Sequence, residues 1–443
     1  MGPFGMRDYR RLFTAQLVAL SGNGLATVAL GLLAYQLAGP RAGAVLGTAL
    51  AVKMIAYVVV APIATAYAGR FERRRLLVSL DLTRAAVVAA LPLADRIWHV
   101  YLLIAVLQTA SAAFTPTFQA VLPDLLPDER DYTRALSLSQ LASTMETLLS
   151  PLLTAILVSV VNFHWLFAAT AAGFLASAAL VASTRVPDAA PSARYGVRDR
   201  IVSGIRIFAA TPRLRGVLGL NLSVAAVGAV IMVNTVNLVQ QRLGRPEADV
   251  AWLLTANGAG ALVVALAVPW LLQRISTRSL MVGGAATLSC AGVVLTAVSA
   301  ADALGWRTLV ALWVTIGAGT VAALTPVGRV LRRSSDGGDR PALFAAQFSL
   351  SHACWLVTYP IAGWVATAAG FTATWLILTV LAVAGTAVGF TCWSHHEPAE
   401  LAHVHPPEFA GTAHVRGAVA VDGGFQHAHP YVIDPLHPRW PSA

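Results

Sequence analysis

From residue 12 onward the chain alternates long apolar runs with short polar turns. The runs fall at 12–37, 43–68, 76–93, 99–122, 135–160 and 163–183, then at 214–238, 250–272, 280–300, 305–331, 342–367 and 371–393. A helix crosses the hydrocarbon of a bilayer in about 20 residues, and each run approximates that length. The pattern predicts an all-α membrane protein of twelve transmembrane helices in two pseudo-symmetric six-helix bundles, 1–183 and 214–393. A linker rich in Pro, Ser and Arg, 184–213, joins them, and a polar tail, 394–443, follows.

The turn after the second run is the most informative stretch. Arg70, Arg73, Arg74 and Arg75 crowd into it between two apolar flanks. Arginines of this kind mark the cytoplasmic side of a membrane hairpin. The far turns carry only Arg41, Arg96, Arg242, Arg245 and Arg307, so both termini and the linker are expected on the cytoplasmic face of a bacterial inner membrane. Arg7, Arg10 and Arg11 precede an apolar stretch that continues to Leu37, too long for a signal-peptide core, so no cleavage is expected.

The second half echoes the first. Gln273–Val282 repeats the register of Gly69–Val78, setting Arg274 against Arg70 and Arg278 against Arg74. The fourth and tenth runs each hold a Thr-Pro pair, Thr115-Pro116 and Thr325-Pro326, a helix-bending feature. The fifth and eleventh match through Gln140 and Gln347. With the polar turn 122–136 and the prolines Pro151 and Pro360, these features resemble the major facilitator superfamily and, more narrowly, its bacterial drug and siderophore exporters.

That resemblance covers about 12–393 and implies two bundles that alternate access to a central cavity. The superfamily's basic-turn motif reads Gly-x-x-x-Asp-Arg-x-x-Arg-Arg; here Thr65 replaces the Gly and Gly69 the Asp, while Arg70, Arg73 and Arg74 remain. The resemblance implies a gating role for these arginines, with Glu72 or Asp81 as candidates to replace the missing acid. Asp81 and Arg84, three apart on one helix face, can pair with each other or with the basic turn.

At 57% hydrophobic and 12% charged, the chain is excluded from the water-soluble class. Its net charge of +10 lies in turns rather than along one face, which argues against nucleic acid. Cys290, Cys354 and Cys392 lie within or at the ends of apolar runs and read as packing residues. No complete nucleophile, zinc-protease or phosphate-loop motif is present, so neither an enzyme nor an ATP-driven pump is expected, and no cofactor.

Ionisable groups in a bilayer core cost several kcal/mol and need a reason. Lys53, the only lysine, lies ten residues after Gly43 and thus about 15 Å deep. Glu146 and His352 fall at comparable depth. Glu146 is read as a proton or cation site, or as the partner of Lys53 in a buried ion pair. His352 is a metal ligand, a proton relay or a helix-to-helix hydrogen bonder. Asn23, Gln140 and Gln347 are polar candidates for the cavity wall.

After Trp393 the composition changes. Eight of eleven histidines fall here: His395, His396, His403, His405, His414, His427, His429 and His437. Proline, glycine and acidic residues separate them, predicting a disordered tail. Many imidazoles on a flexible chain suit nickel, copper, zinc or cobalt, with several stoichiometries and no single closed site; a merely solubilising tail is the alternative. A His-rich tail on this core resembles the bacterial nickel-resistance permeases.

The expected function is therefore export of a small solute in exchange for protons by a monomer in the lipid bilayer, with nickel or cobalt as cargo. Organic drugs or siderophores are the alternative cargo, and a non-transporting metal sensor or scaffold is the alternative of another class.

Overall fold

The computed structural model describes residues 6–60, 72–126, 162–186, 197–335, 340–394, 400–409 and, with gaps, 415–441, besides isolated positions between 135 and 157. The chain begins with α1 (Arg7–Ala38), α2 (Ala42–Ile55, prolonged by a π-helical turn to Val60), α3 (Arg73–Ala90), α4 (Ile97–Leu125) and α5 (His164–Ala182). The linker carries α6 (Val197–Ala210). The second half comprises α7 (Pro212–Ala229, continued by widened turns to Arg242), α8 (Glu247–Arg274), α9 (Thr277–Ala300), α10 (Trp306–Leu324), α11 (Val327–Arg333), α12 (Arg340–Pro360, continued to Val365) and α13 (Ala366–Cys392).

Nine helical runs among the described residues are long and apolar enough to cross a membrane. Two of them, Arg7–Val60 with 54 residues and Ala342–Cys392 with 51, are long enough for two crossings each at about 1.5 Å per residue. Each bends at a glycine that can take positive φ. Gly39, at φ 53°, returns its N–H to the Tyr35 carbonyl and is followed by Pro40; Gly370 adopts φ 80°. The fifth expected span falls largely outside the described residues, as do Arg70, Gln140 and Glu146. The paired Thr-Pro sites differ: α10 ends at Thr325-Pro326, whereas Thr115-Pro116 sits inside uninterrupted α4.

In the first half α1 packs on α5, α3 on α4 and α5, and α2 on α4; in the second, α7 packs on α12 and α13, α8 on α10, and α9 on α10 and α13. Lipid gives little hydrophobic drive for helix association, so close backbone approach matters. A Cβ on Gly219 of α7 would lie 2.6 Å from the Gly385 carbonyl of α13.

The tightest of the described cross-bundle contacts lie toward the end remote from the termini. A Cβ on Gly47 of α2 would come within 2.6 Å of the Tyr359 carbonyl of α12. The Trp364 indole donates to Thr48 Oγ1 at 3.0 Å, and Asn237 Nδ2 to the Pro40 carbonyl at 3.2 Å.

The tail departs from the expected disorder. Its described part forms an antiparallel sheet of β1 (Leu401–His405), β2 (Val419–Val421) and β3 (Gly424–His429) in the order β1-β3-β2. The turn Asp422-Gly423, with Gly423 at φ 96°, closes the β2–β3 hairpin. Tyr431 and Ile433 then enter an apolar cluster with Phe208 of α6, Leu214 of α7, Leu331 of α11 and Trp393. The composition is polar because one face of the sheet carries imidazoles, while the following segment supplies the apolar anchors.

Candidate functional site

Side chains alternate across a strand, so His403 and His405 on β1 point to one face, as do His427 and His429 on β3. The register sets His403 opposite His427 and His429 opposite Leu401, which makes it the same face. His437, from the turn after the sheet, completes the group. One ring nitrogen from each of the five lies within 4.8 Å of all the others. The Nε2 atoms of His403 and His405 are 3.0 Å apart, those of His403 and His437 3.1 Å, and those of His405 and His437 3.3 Å. His405 and His437 are each only 2% exposed.

Two contacts aim the rings. His403 Nδ1 lies 2.9 Å from the Leu401 carbonyl, and His437 Nδ1 lies 2.8 Å from Asp434 Oδ1. An Nδ1–H donated to either oxygen leaves the Nε2 lone pair facing inward. Asp434 Oδ1 also accepts the backbone N–H of Leu436 and of His437, at 2.8 and 2.7 Å, which fixes the turn. Burial holds His437 below the usual imidazole range despite Asp434, favouring the neutral form a ligand needs. Tyr431 walls the group, its ring centroid 4.9 Å from that of His403 and 4.8 Å from that of His437. Burial and Asp434 push its phenol pKa up, and its hydroxyl donates to the Arg439 carbonyl at 2.8 Å, so it is a wall rather than a ligand.

Nitrogens held about 2.0–2.1 Å from one ion stand roughly 2.8–3.0 Å apart in an octahedral array and roughly 3.3–3.4 Å apart in a tetrahedral one. The three Nε2 separations fall within that range, and inward lone pairs at such distances favour a cation between them. The expectation of several loose sites is corrected accordingly: five of the eight tail histidines converge on one compact site. His395, His396 and His414 lie outside the described residues.

Of the membrane candidates, the structure brings two together. Lys53 Nζ on α2 stands 5.6 Å from the Tyr57 ring centroid, and His352 of α12 meets the same ring edge-on at 5.3 Å. His352 Nδ1 lies 2.7 Å from the Phe348 carbonyl, one turn back. All three side chains are half-buried, between the bundles and about 9–15 Å along their helices from the Gly47–Tyr359 contact. Gln347, one residue before Phe348, has a buried Oε1 with no hydrogen-bond partner among the described residues. Asn23 is half-buried on α1.

Asp81 and Arg84 are 0% and 3% exposed and ion-paired within the first bundle. Ser177 Oγ donates to Asp81 Oδ2 at 2.7 Å, and the Arg84 guanidinium lies over Phe114 at 4.0 Å and Phe174 at 4.5 Å. This clasp joins α3, α4 and α5, and among the described residues the hydrogen bonds and ion pair of Asp81 are to Arg84 and Ser177 rather than to the basic turn. Glu72 pairs with that turn, 2.7 Å from Arg75 and 3.6 Å from Arg74, while Arg73 is buried. In the other half Arg278 donates to the Trp393 and Phe390 carbonyls at 2.6 and 2.8 Å, capping the end of α13.

Sequence reasoning missed Tyr57, Asp434 and Arg213. Tyr57 lies one helical turn after Lys53, a spacing that could have flagged it. Arg213 has partners more than 100 residues away, which no local pattern reports.

Two sets of apolar helices of membrane-crossing length, bent at glycines and meeting at mid-depth through half-buried polar and aromatic groups, define a multi-pass membrane protein. The family model for the Major Facilitator Superfamily matches residues 12–244 and 217–420, and the chain belongs to that family. It is 25% identical over 268 residues to the uncharacterized MFS-type transporter YfiS of Bacillus subtilis, covering 57% of this chain and 62% of that protein. It is 26% identical over 148 residues to Macrolide efflux protein A of Streptococcus pyogenes, covering 32% of this chain and 36% of that one. The chain thus spans less than two thirds of the length of either relative.

The same fold is found in a bacterial homolog of the human lysosomal transporter Spinster, crystallised inward-facing and unoccupied. There the TM-score is 0.67 at 14% identity over 87% of this chain and 98% of that one. A D-xylose-proton symporter gives 0.65 at 16% identity, over 87% and 97%.

Proposed function

We propose that this transporter exports a divalent transition metal of the nickel and cobalt class from the cytoplasm of a bacterium, in exchange for protons. The carrying observation is the convergence of five imidazoles within 4.8 Å on the segment after the last membrane helix. Imidazole is the ligand these ions favour, and a site placed beside the carrier on the basic, cytoplasmic face gathers the ion where export begins. Glu146 and His352 are the titratable groups assigned to proton exchange, with Lys53 as the fixed charge that releases a cation onward. The unit is a monomer in the inner membrane with both termini inside.

The test is a panel of metal sensitivities in cells stripped of their own exporters, using the full chain, a chain ending at Trp393, and Glu146→Gln. Full-length cells should tolerate nickel or cobalt at several-fold higher concentration than empty cells, with tolerance reduced in both variants. Equal sensitivity of full-length and empty cells would overturn the metal cargo.

A second reading has an observation of its own. Tyr57, Phe348 and His352 form an aromatic wall at mid-depth, suited to an organic cation or macrocycle, and one similar protein is a macrolide exporter by name. Dye and macrolide extrusion, run in the same strains, separates the two.

A further inference from the structure

The tail site does not stand apart from the moving parts of the carrier. Its wall residue, Tyr431, lies between ligands on both sides in sequence, His429 and His437. Its carbonyl accepts a hydrogen bond from Arg213 Nη2 at 3.3 Å. Arg213 occupies the first turn of α7, directly after Thr211 and Pro212, where the linker becomes the first helix of the second bundle. It is 4% exposed and also donates to Ser334 Oγ at 2.7 Å and to the Arg333 carbonyl at 2.9 Å, just beyond α11. Trp440 covers it, with the guanidinium carbon 5.3 Å from the indole centroid, and Trp440 in turn meets Tyr431 at 5.1 Å. Around these contacts, Ile207 and Phe208 at the end of the linker helix pack in one cluster with Tyr431 and Ile433.

From this chain of contacts we infer that the five-imidazole site is a metal-operated brace on the hinge between the two bundles. An ion shared by His429 on β3 and His437 on the following turn closes the loop that contains Tyr431. Closing it fixes the Tyr431 carbonyl and the Ile433 side chain against Arg213 and the end of α6. Without the ion, that loop is held by the Asp434 turn, the Tyr431 hydrogen bonds with Arg213 and Arg439 and the apolar anchors, and the junction of α6 with α7 has more freedom to change angle as the bundles rock. Metal in the tail therefore regulates the carrier through its hinge, whatever solute crosses the membrane. This rests on the metal-binding part of the reading above and is independent of the cargo.

The experiment uses the full chain in lipid nanodiscs, with nickel binding measured by calorimetry and amide hydrogen exchange followed with and without nickel. The expected result is about one nickel per chain and at least tenfold slower exchange in residues 203–217 and 329–335, as well as in the tail. His403→Ala with His405→Ala should abolish both effects. Arg213→Ala should still bind nickel and slow exchange in the tail, but lose the slowing in 203–211. Nickel binding with protection confined to 401–437 would overturn the brace and leave the metal site standing. No nickel binding by the full chain would overturn the metal reading and the brace with it.

Discussion

Among the described residues, two groups of ionisable side chains within the membrane-spanning part are built on opposite plans. Asp81 and Arg84 are sealed inside one bundle, each oxygen of Asp81 engaged and the guanidinium sandwiched between two phenylalanines. Lys53 and His352 come from different bundles, remain half-buried, and meet only across the ring of Tyr57. The first group closes on itself, with Arg84 Nε the one buried side-chain nitrogen or oxygen of the pair that lacks a hydrogen-bond partner among the described residues. The second has unused capacity at the level where the bundles face each other. The contrast teaches that a charge inside lipid can be justified by closure or by access, and that the degree of partnering tells which.

The comparison can be broken at its strong end first. Asp81→Ala leaves a buried guanidinium without its anion and should destabilise the fold by about 3–5 kcal/mol, read by denaturant unfolding in detergent micelles. Replacing both residues, Asp81→Leu with Arg84→Met, should recover most of that loss, because the cost lies in the orphaned charge. A small effect of Asp81→Ala alone would contradict the clasp.

At the open end the expectation reverses. Lys53→Met should change stability by about 1 kcal/mol or less, yet lower transport in proteoliposomes by tenfold or more, and His352→Gln should act in the same direction. Loss of folding in either would place this group with the clasp after all.

The smallest effect belongs to the contact region above it. Trp364→Phe removes one hydrogen bond to Thr48, worth about 0.5–1.5 kcal/mol. It should tilt the balance between the two access states by up to about tenfold, visible as changed labelling of cysteines placed on either side of the Gly47–Tyr359 contact.

Much of this was legible in the chain. The apolar runs, the basic turn and its echo at Arg274 and Arg278 led to the two-bundle fold. Depth along the helix set Lys53 and His352 at one level, and three-residue spacing suggested the Asp81–Arg84 pair. The tail was misread for a specific reason. Proline, glycine and acid argued for disorder by composition, while the alternation in Leu401–His405 and Phe425–His429 carried the strand period, and Asp422-Gly423 carried the turn. Composition carries no record of that period, and here the imidazole face turns inward. Arg213 was illegible for a different reason, since its carbonyl and hydroxyl partners are joined to it only by the folded chain.

One last property follows from the pairing of His403 with His427. A strand changes sides at every residue, so the site depends on parity. Deleting a single residue between Gly424 and His427 would swing both β3 imidazoles to the outer surface while barely altering composition, whereas deleting two would restore their side. The tail is thus sensitive to odd changes of length and tolerant of even ones, a constraint that its histidine count alone would never reveal.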